Sequence, residues 1–233
     1  MPVIETDTEH GDVIYPEGDG KPMAENPLQH LVIRTLVCGF ERHFAGRDDV
    51  FVGGDFFWYP IEGDNKTVTA PDVTVIADLP QPVDIRAMGS YRQWVFGGQV
   101  LVAIEVLSPS NTWSEMARKL EFYRRHGVAE YWMFDPLGGA LAVFVREGDN
   151  FLVIADAASG WTSPNTGVHV SVDDLELVVH GADGRRWLAP AEEARRADEM
   201  ATRADEMAAR AEVAEAESAA LREELARLRG GSE

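Results

Sequence analysis

The sequence predicts a mixed α/β (α+β) fold, with a mixed central sheet flanked by helices and a C-terminal helix that continues as a coiled coil. Three stretches predict it. VLVAIEVL (100–107), a helical segment and a second apolar run, EYWMFDP, follow one another, and that strand–helix–strand order favours parallel pairing. ALAVFVREGDNFLVIADA reads as an antiparallel hairpin turning on 148–150. RADEMAT and RADEMAA repeat in tandem over 196–202 and 203–209, a period of seven.

The elements follow in order. Residues 1–27 are polar, rich in Gly and Pro, and read as an N-terminal arm. From 28 to 44, Leu28, Leu31, Val32, Leu36, Phe40 and Phe44 recur at helical spacing, and Pro27 suits a first turn, where its missing N–H costs nothing. VFVGGDFFWYP is aromatic and β-branched, is interrupted by Gly53 and Gly54, and leads through IEGDNKTVT to PDVTVIAD. Neighbouring strands are expected over 50–59 and 66–77. QPVDIRAMGSYRQWVFGGQ has no clean period and reads as a loop with a short helix. VLVAIEVL is apolar on both faces, as in a central strand covered on both sides. Ser110, Asn111 or Thr112 can cap a helix to His126 whose inner face carries Trp113, Met116, Leu120 and Tyr123, and Gly127 stops it. Residues 161–188 read as short strands, which makes 28–189 one domain. In 190–233, Ala197, Ala204, Ala211, Ser218 and Leu225 share one seam position, with Met200, Met207, Ala214, Leu221 and Leu228 three residues on. This register predicts a homo-oligomer, a dimer through 190–233.

The formal net charge is -19, of which residues 191–233 contribute -5. The acidity therefore belongs mainly to the body, which repels nucleic acid and anionic membranes. A phosphate-bearing substrate must meet a local exception. No apolar run reaches the roughly 18 residues of a membrane span, and MPVIETDTEHGD lacks the layout of a signal peptide, so a cytoplasmic location with no membrane contact is expected. The single cysteine, Cys38, excludes a disulfide framework and a thiolate metal cluster.

Side chains alternate along a strand, so Glu105 enters an apolar layer with Leu101, Ala103 and Leu107. A buried carboxylate costs several kcal/mol unless something compensates it. Asp72, just after Pro71 at the mouth of another strand, makes a plausible cation site with it. With no cation present, two neighbouring acids repel, so Glu105→Gln is expected to raise stability in the absence of metal. The third candidate is Lys119: the chain has only three lysines against eighteen arginines, and one stands on the helix directly after the Glu105 strand. A compact ammonium suits a water or a phosphoryl oxygen. Glu115, four residues earlier, offers the competing explanation of a surface helical pair. Asp55 in GGDFF can add a ligand or line the cleft, although an Asp after two glycines is more often a turn former. His30 can reach the site from the first helix, although a lone His beside Leu31 is more often a hydrogen-bonded bystander. Tyr123 reads as packing and Asp135 as a strand-end turn former. Arg86, Arg92, Arg124 and Arg125 are the basic grouping near these residues.

APDVTV, then IEVLSPSNT, then Lys119 followed by YRRHGVAEYWMFDP, resemble in that order the Uma2 family, a branch of the PD-(D/E)XK nuclease superfamily with a restriction endonuclease-like fold. PLQH and SYRQW resemble its members too, so the resemblance spans about residues 25 to 180. It implies that Asp72 and Glu105 hold Mg²⁺, with Mn²⁺ as substitute, and that Lys119 orients the water or stabilises the transition state in phosphodiester hydrolysis of nucleic acid. The backbone carbonyl of Val106 completes a half-shell of hard oxygen ligands. There is one departure: the superfamily's lysine usually stands two residues after the acid, where this chain has Leu107, so Lys119 must supply the ammonium from the helix. Two other classes stay open. A non-catalytic module that keeps the fold and oligomerises through its tail accommodates Leu107. A glycosidase using Asp72 and Glu105 as acid and base leaves Lys119 unexplained.

Overall fold

The structure, a computed structural model, describes residues 13–17, 26–86 and 88–230, for Ala220 and 223–230 the backbone alone. Most of the N-terminal arm and the seam side chains of Leu225 and Leu228 lie outside the described residues. The chain divides into two compact units, Met1–Ala189 and Pro190–Glu233.

In the first unit α1 (Pro27–His43) starts at Asn26, whose side chain accepts from the Gln29 N–H. Its buried stripe is Gln29, Ile33, Leu36, Gly39 and Phe40, while Leu28 and Leu31 are exposed. The expected strand over 50–59 breaks into β1 (Phe51–Gly53) and β2 (Trp58–Tyr59). Gly54 causes the break: a Cβ there would stand 1.9 Å from the Asp72 carbonyl oxygen, so only glycine lets the two backbones approach. The strand expected over 66–77 shortens to β3 (Val73–Ala77), because Asp64 takes the Lys66 and Thr67 N–H groups into a turn. The loop expected next holds β4 (Tyr91–Arg92), which pairs in parallel with β2, and the single turn α2 (Gln93–Phe96).

The crossover is β5 (Gln99–Val106), α3 (Trp113–Arg125) and β6 (Glu130–Asp135), with β5 and β6 parallel. Thr112 caps α3, and Gly127, at φ +83°, ends it. The hairpin β7 (Ala140–Glu147) and β8 (Asn150–Ile154) completes a mixed sheet ordered β1-β3-β5-β6-β7-β8. β5 lies near its middle, which explains the apolar character of both faces. Val73, Val75, Val102, Ile104 and Trp132 pack with Ile33, Leu36 and Phe40 of α1. Ile76, Ala103 and Tyr131 pack with Trp58 and with Tyr123 of α3. Each such side chain contributes about 1.5–3 kcal/mol on full burial. Trp113 departs from expectation: it is 90% exposed, because it is the first residue of α3, and the buried positions of the helix are Met116 and Tyr123.

A three-stranded antiparallel sheet follows: β9 (Trp161–Thr162), β10 (His169–Asp173) and β11 (Glu176–His180). Its Val170 and Val179 join the α1-side core together with Trp187. Trp187 packs so closely on α1 that a Cβ at Gly39 would be 2.1 Å from its ring, which justifies a glycine in a helix interior that costs about 1 kcal/mol relative to alanine. The second unit is one helix, α4 (Pro190–Gly230), with Met200, Met207 and Leu221 exposed in the single chain. No helix among the described residues is long and apolar enough to cross a membrane.

Candidate active site

The antiparallel pairing of Val73 with Ile104 puts Asp72, just before β3, beside the end of β5. There Asp72 Oδ2 accepts the Val106 N–H at 2.7 Å. Glu105, 3% exposed, points from β5 toward α3. Lys119 Nζ donates to its Oε2 at 2.7 Å and the Tyr123 hydroxyl to its Oε1 at 2.6 Å. The buried acid is thus compensated by an ammonium and a phenol one helical turn apart. Lys119 turns inward, with only 20% of its side chain exposed, rather than pairing with Glu115 on the helix surface. Tyr123, expected only to pack, is a direct hydrogen-bond donor to the acid, and its ring lies 4.7 Å from that of Tyr131. The Val106 carbonyl accepts the Gln29 side-chain amide at 2.8 Å, which ties α1 to the tip of β5.

Electrostatics sets the protonation of this cluster. Burial, then the neighbouring Glu105 charge, pushes Asp72 up to about 8, against the pull of the Val106 N–H and Lys119. Burial also raises Glu105, opposed by Lys119 and Tyr123. For Lys119, burial favours the neutral amine, but the charge of Glu105 outweighs it and the net direction is upward, so the ammonium persists. At neutral pH Asp72 therefore holds a proton, while Lys119 stays charged beside Glu105. A divalent cation is what would let both carboxylates ionise together.

The remaining expected residues sit less centrally. Asp55 is exposed in a left-handed turn (φ +58°), its N–H on the Pro71 carbonyl, and its charge adds to the upward pressure on Asp72. His30 is exposed, and its neighbour Gln29 is the residue that reaches β5. Arg124 and Arg125 are spent on Glu121, at 2.8 and 3.1 Å. Asp135 accepts the Leu137 N–H in a strand-end turn. Leu107 donates its N–H to the Phe134 carbonyl, extending the β5–β6 ladder by one bond. Gln29 and Tyr123 had signals in the sequence: Gln29 falls on the same helical stripe as Ile33, Leu36 and Phe40, and Tyr123 stands four residues after Lys119.

The donor chemistry fits Mg²⁺ or Mn²⁺. Among the described residues no group of three or more His, Cys, Asp or Glu could hold a metal ion. A hard ion is commonly held by one or two carboxylates, with waters and substrate oxygens supplying the rest. Each Glu105 oxygen keeps a lone pair after accepting its hydrogen bond. Tyr131 brings a buried hydroxyl with no hydrogen-bond partner into the layer beneath α3, in the electrostatic field of Glu105 and Asp72.

The model of the Uma2 family, described as a putative restriction endonuclease, matches residues 4–171. A crystal structure of a putative nuclease belonging to DUF820, from Anabaena variabilis ATCC 29413, is 16% identical to the chain, covers 71% of it and 87% of its own length, and superposes with a TM-score of 0.47. No curated protein matches the chain.

Proposed function

The chain belongs to the Uma2 family of putative restriction endonucleases, and from that premise we propose that it is a metal-dependent nuclease hydrolysing phosphodiester bonds in nucleic acid. One observation carries the reading: Lys119, of the few lysines in the chain, is drawn into the protein onto Glu105, in reach of the charge of Asp72. Asp72, Glu105 and the Val106 carbonyl are the oxygens that would hold the ion. Bound there, Mg²⁺ or Mn²⁺ supplies a more acidic water and neutralises charge on the phosphoryl group.

The chain's own residues do the rest. Asp72 gives up its proton to act as a ligand, so binding strengthens with rising pH. Glu105, itself held by the Tyr123 hydroxyl, fixes Lys119, and Gln29 fixes the Val106 carbonyl, which prepays part of the positioning cost. Lys119 stays an ammonium. It therefore cannot be the general base, and serves as a point charge on the attacking water or on the phosphoryl oxygen as negative charge grows there. Self-association through α4 is part of the proposal, because its Met200, Met207 and Leu221 seam is exposed in the single chain.

The test is cleavage of labelled single- and double-stranded DNA and RNA with Mg²⁺ or Mn²⁺. Lys119→Ala is expected to abolish turnover while retaining metal binding, and Lys119→Arg to be strongly impaired, since a wide planar group replaces a compact charge. An Arg variant as active as the parent overturns the role of Lys119. Absence of cleavage by the parent on every substrate favours the second reading, an inactive interaction module, for which Leu107 at the superfamily's lysine position is the specific observation.

A further inference from the structure

Helix α3 turns a second face to the segment just after the Asp64 turn, and the two enclose an open cleft lined by Lys66, Arg118, Glu121, Phe122, Arg125 and His126. The cleft lies on the face of α3 next to the one that carries Lys119 and Tyr123. Arg118 and Phe122 each precede a residue of the acid cluster, Lys119 and Tyr123, and the Trp58 ring packs against both Phe122 and Tyr123.

Its charge balance is unusual for this surface. Glu121 is already consumed, with Arg124 on both of its oxygens at 2.8 and 2.9 Å and Arg125 at 3.1 Å. Asp64 is turned into its own loop by the Thr67 hydroxyl and two backbone N–H groups, which keep it anionic, so its charge still acts on Lys66. Burial holds His126 below its ordinary value, so it adds no charge at neutral pH. Lys66 and Arg118 remain, both exposed and neither with an ion-pair partner among the described residues. One of the chain's three lysines thus faces an arginine of α3 across this cleft, on a body that is otherwise strongly acidic. Phe122 gives the cleft an apolar wall, packed edge-on against Trp58 at 5.4 Å.

We propose that this cleft is a backbone-phosphate subsite, in which Lys66 and Arg118 grip a phosphate of the nucleic-acid strand next to the one positioned at Lys119. The inference rests on the nuclease reading and names where the strand runs. The cleft is the local exception that an acidic protein needs in order to hold a polyanion. Phosphate contacts of this kind fix register without reading sequence, and each contributes about 0.7 to the slope of log affinity against log salt for a single strand.

The experiment is fluorescence anisotropy with a labelled single-stranded oligonucleotide, on the full chain in chelator, across a salt series. The Lys66→Ala/Arg118→Ala variant gives up that one phosphate and is expected to lose about 0.7 from that slope and roughly 5-fold in affinity at 0.1 M salt. Arg34→Ala, an exposed arginine of α1 outside the cleft, controls for net charge and should change little. In the cleavage assay the double variant should show a raised KM with kcat near the parent's. Displacement by sodium phosphate should match that by sodium chloride at equal ionic strength; selective displacement by phosphate would make a free phosphate, not a strand, the occupant and overturn the proposal. Unchanged affinity and slope in the double variant, a loss no greater than that of Arg34→Ala, or no oligonucleotide binding by the parent would also overturn it. The nuclease reading fails separately: a parent that binds through the cleft but does not cleave with Mg²⁺ or Mn²⁺ sinks catalysis and leaves the subsite standing.

Discussion

Glu105→Gln is the perturbation whose sign the structure reverses. Judged from the two acids alone, neutralising one should relieve repulsion and stabilise the ion-free protein. The structure puts Lys119 Nζ 2.7 Å from Glu105 Oε2, so the same change removes the counter-charge of a largely buried ammonium. Breaking a buried pair from one side costs about 3–5 kcal/mol, and a charge-assisted hydrogen bond is worth about 1.5–3. The amide can also accept from only one of its two donors, Lys119 and Tyr123, and turns its own NH₂ toward the other. Two effects offset the loss: 20% of the Lys119 side chain still meets solvent, and Asp72, freed from the charge of Glu105, ionises more readily and takes over part of the pairing. The net expectation is a destabilisation of about 2 kcal/mol, which for a unit of this size lowers Tm by roughly 4–8 °C. Thermal unfolding followed by circular dichroism at pH 7 in chelator measures it. Pairing the change with Lys119→Met should recover most of the loss, since the uncompensated charge is then gone. A Glu105→Gln protein that melts at or above the parent would refute the ion pair and restore the argument from acid–acid repulsion.

Stability of the ion-free protein should fall as pH rises. Asp72 keeps its proton to about 8 in the folded state and loses it near pH 4 when unfolded, so the stabilisation is complete below pH 4 and is lost on the way to pH 8. The slope is bounded at about 1.4 kcal/mol per pH unit and is reduced by the partial exposure of Asp72. Urea titrations at pH 5 and pH 8 check it, and stability that rises over that range would contradict the assignment. Truncation before Pro190 should leave the 28–189 domain folded and reduce the hydrodynamic size by more than the lost mass. If sedimentation finds full-length and truncated chains both monomeric at high concentration, the α4 seam does not associate.

The sheet order around β5 and β6 was legible because a run that is apolar on both faces leaves few positions except the centre of a sheet. The helix between the two strands forces them parallel. The break at Gly54 was visible only as a pair of glycines. That it marks a close approach to the Asp72 carbonyl depends on β1 and β3 being neighbours, which no local pattern encodes. Helical spacing does not place Trp113, because it says which residues share a face, not where along the helix contact with the sheet begins. At the site, Asp72, Glu105 and Lys119 could be picked out by residue type and order. Tyr123 reads as packing in the sequence because an aromatic ring carries both an apolar body and a polar tip, and its ring does pack against Tyr131.

The central claim is that Asp72 and Glu105 jointly hold a divalent cation in competition with a proton on Asp72. Calorimetric titration of Mn²⁺ into the full chain at pH 7, repeated in two buffers of different ionisation enthalpy, measures binding and proton release together. The account predicts about one Mn²⁺ per chain with up to one proton released, tighter binding at pH 8.5 than at pH 6, and loss of both signals in Asp72→Asn. Mn²⁺ binding that releases no proton and persists unchanged in Asp72→Asn would contradict it.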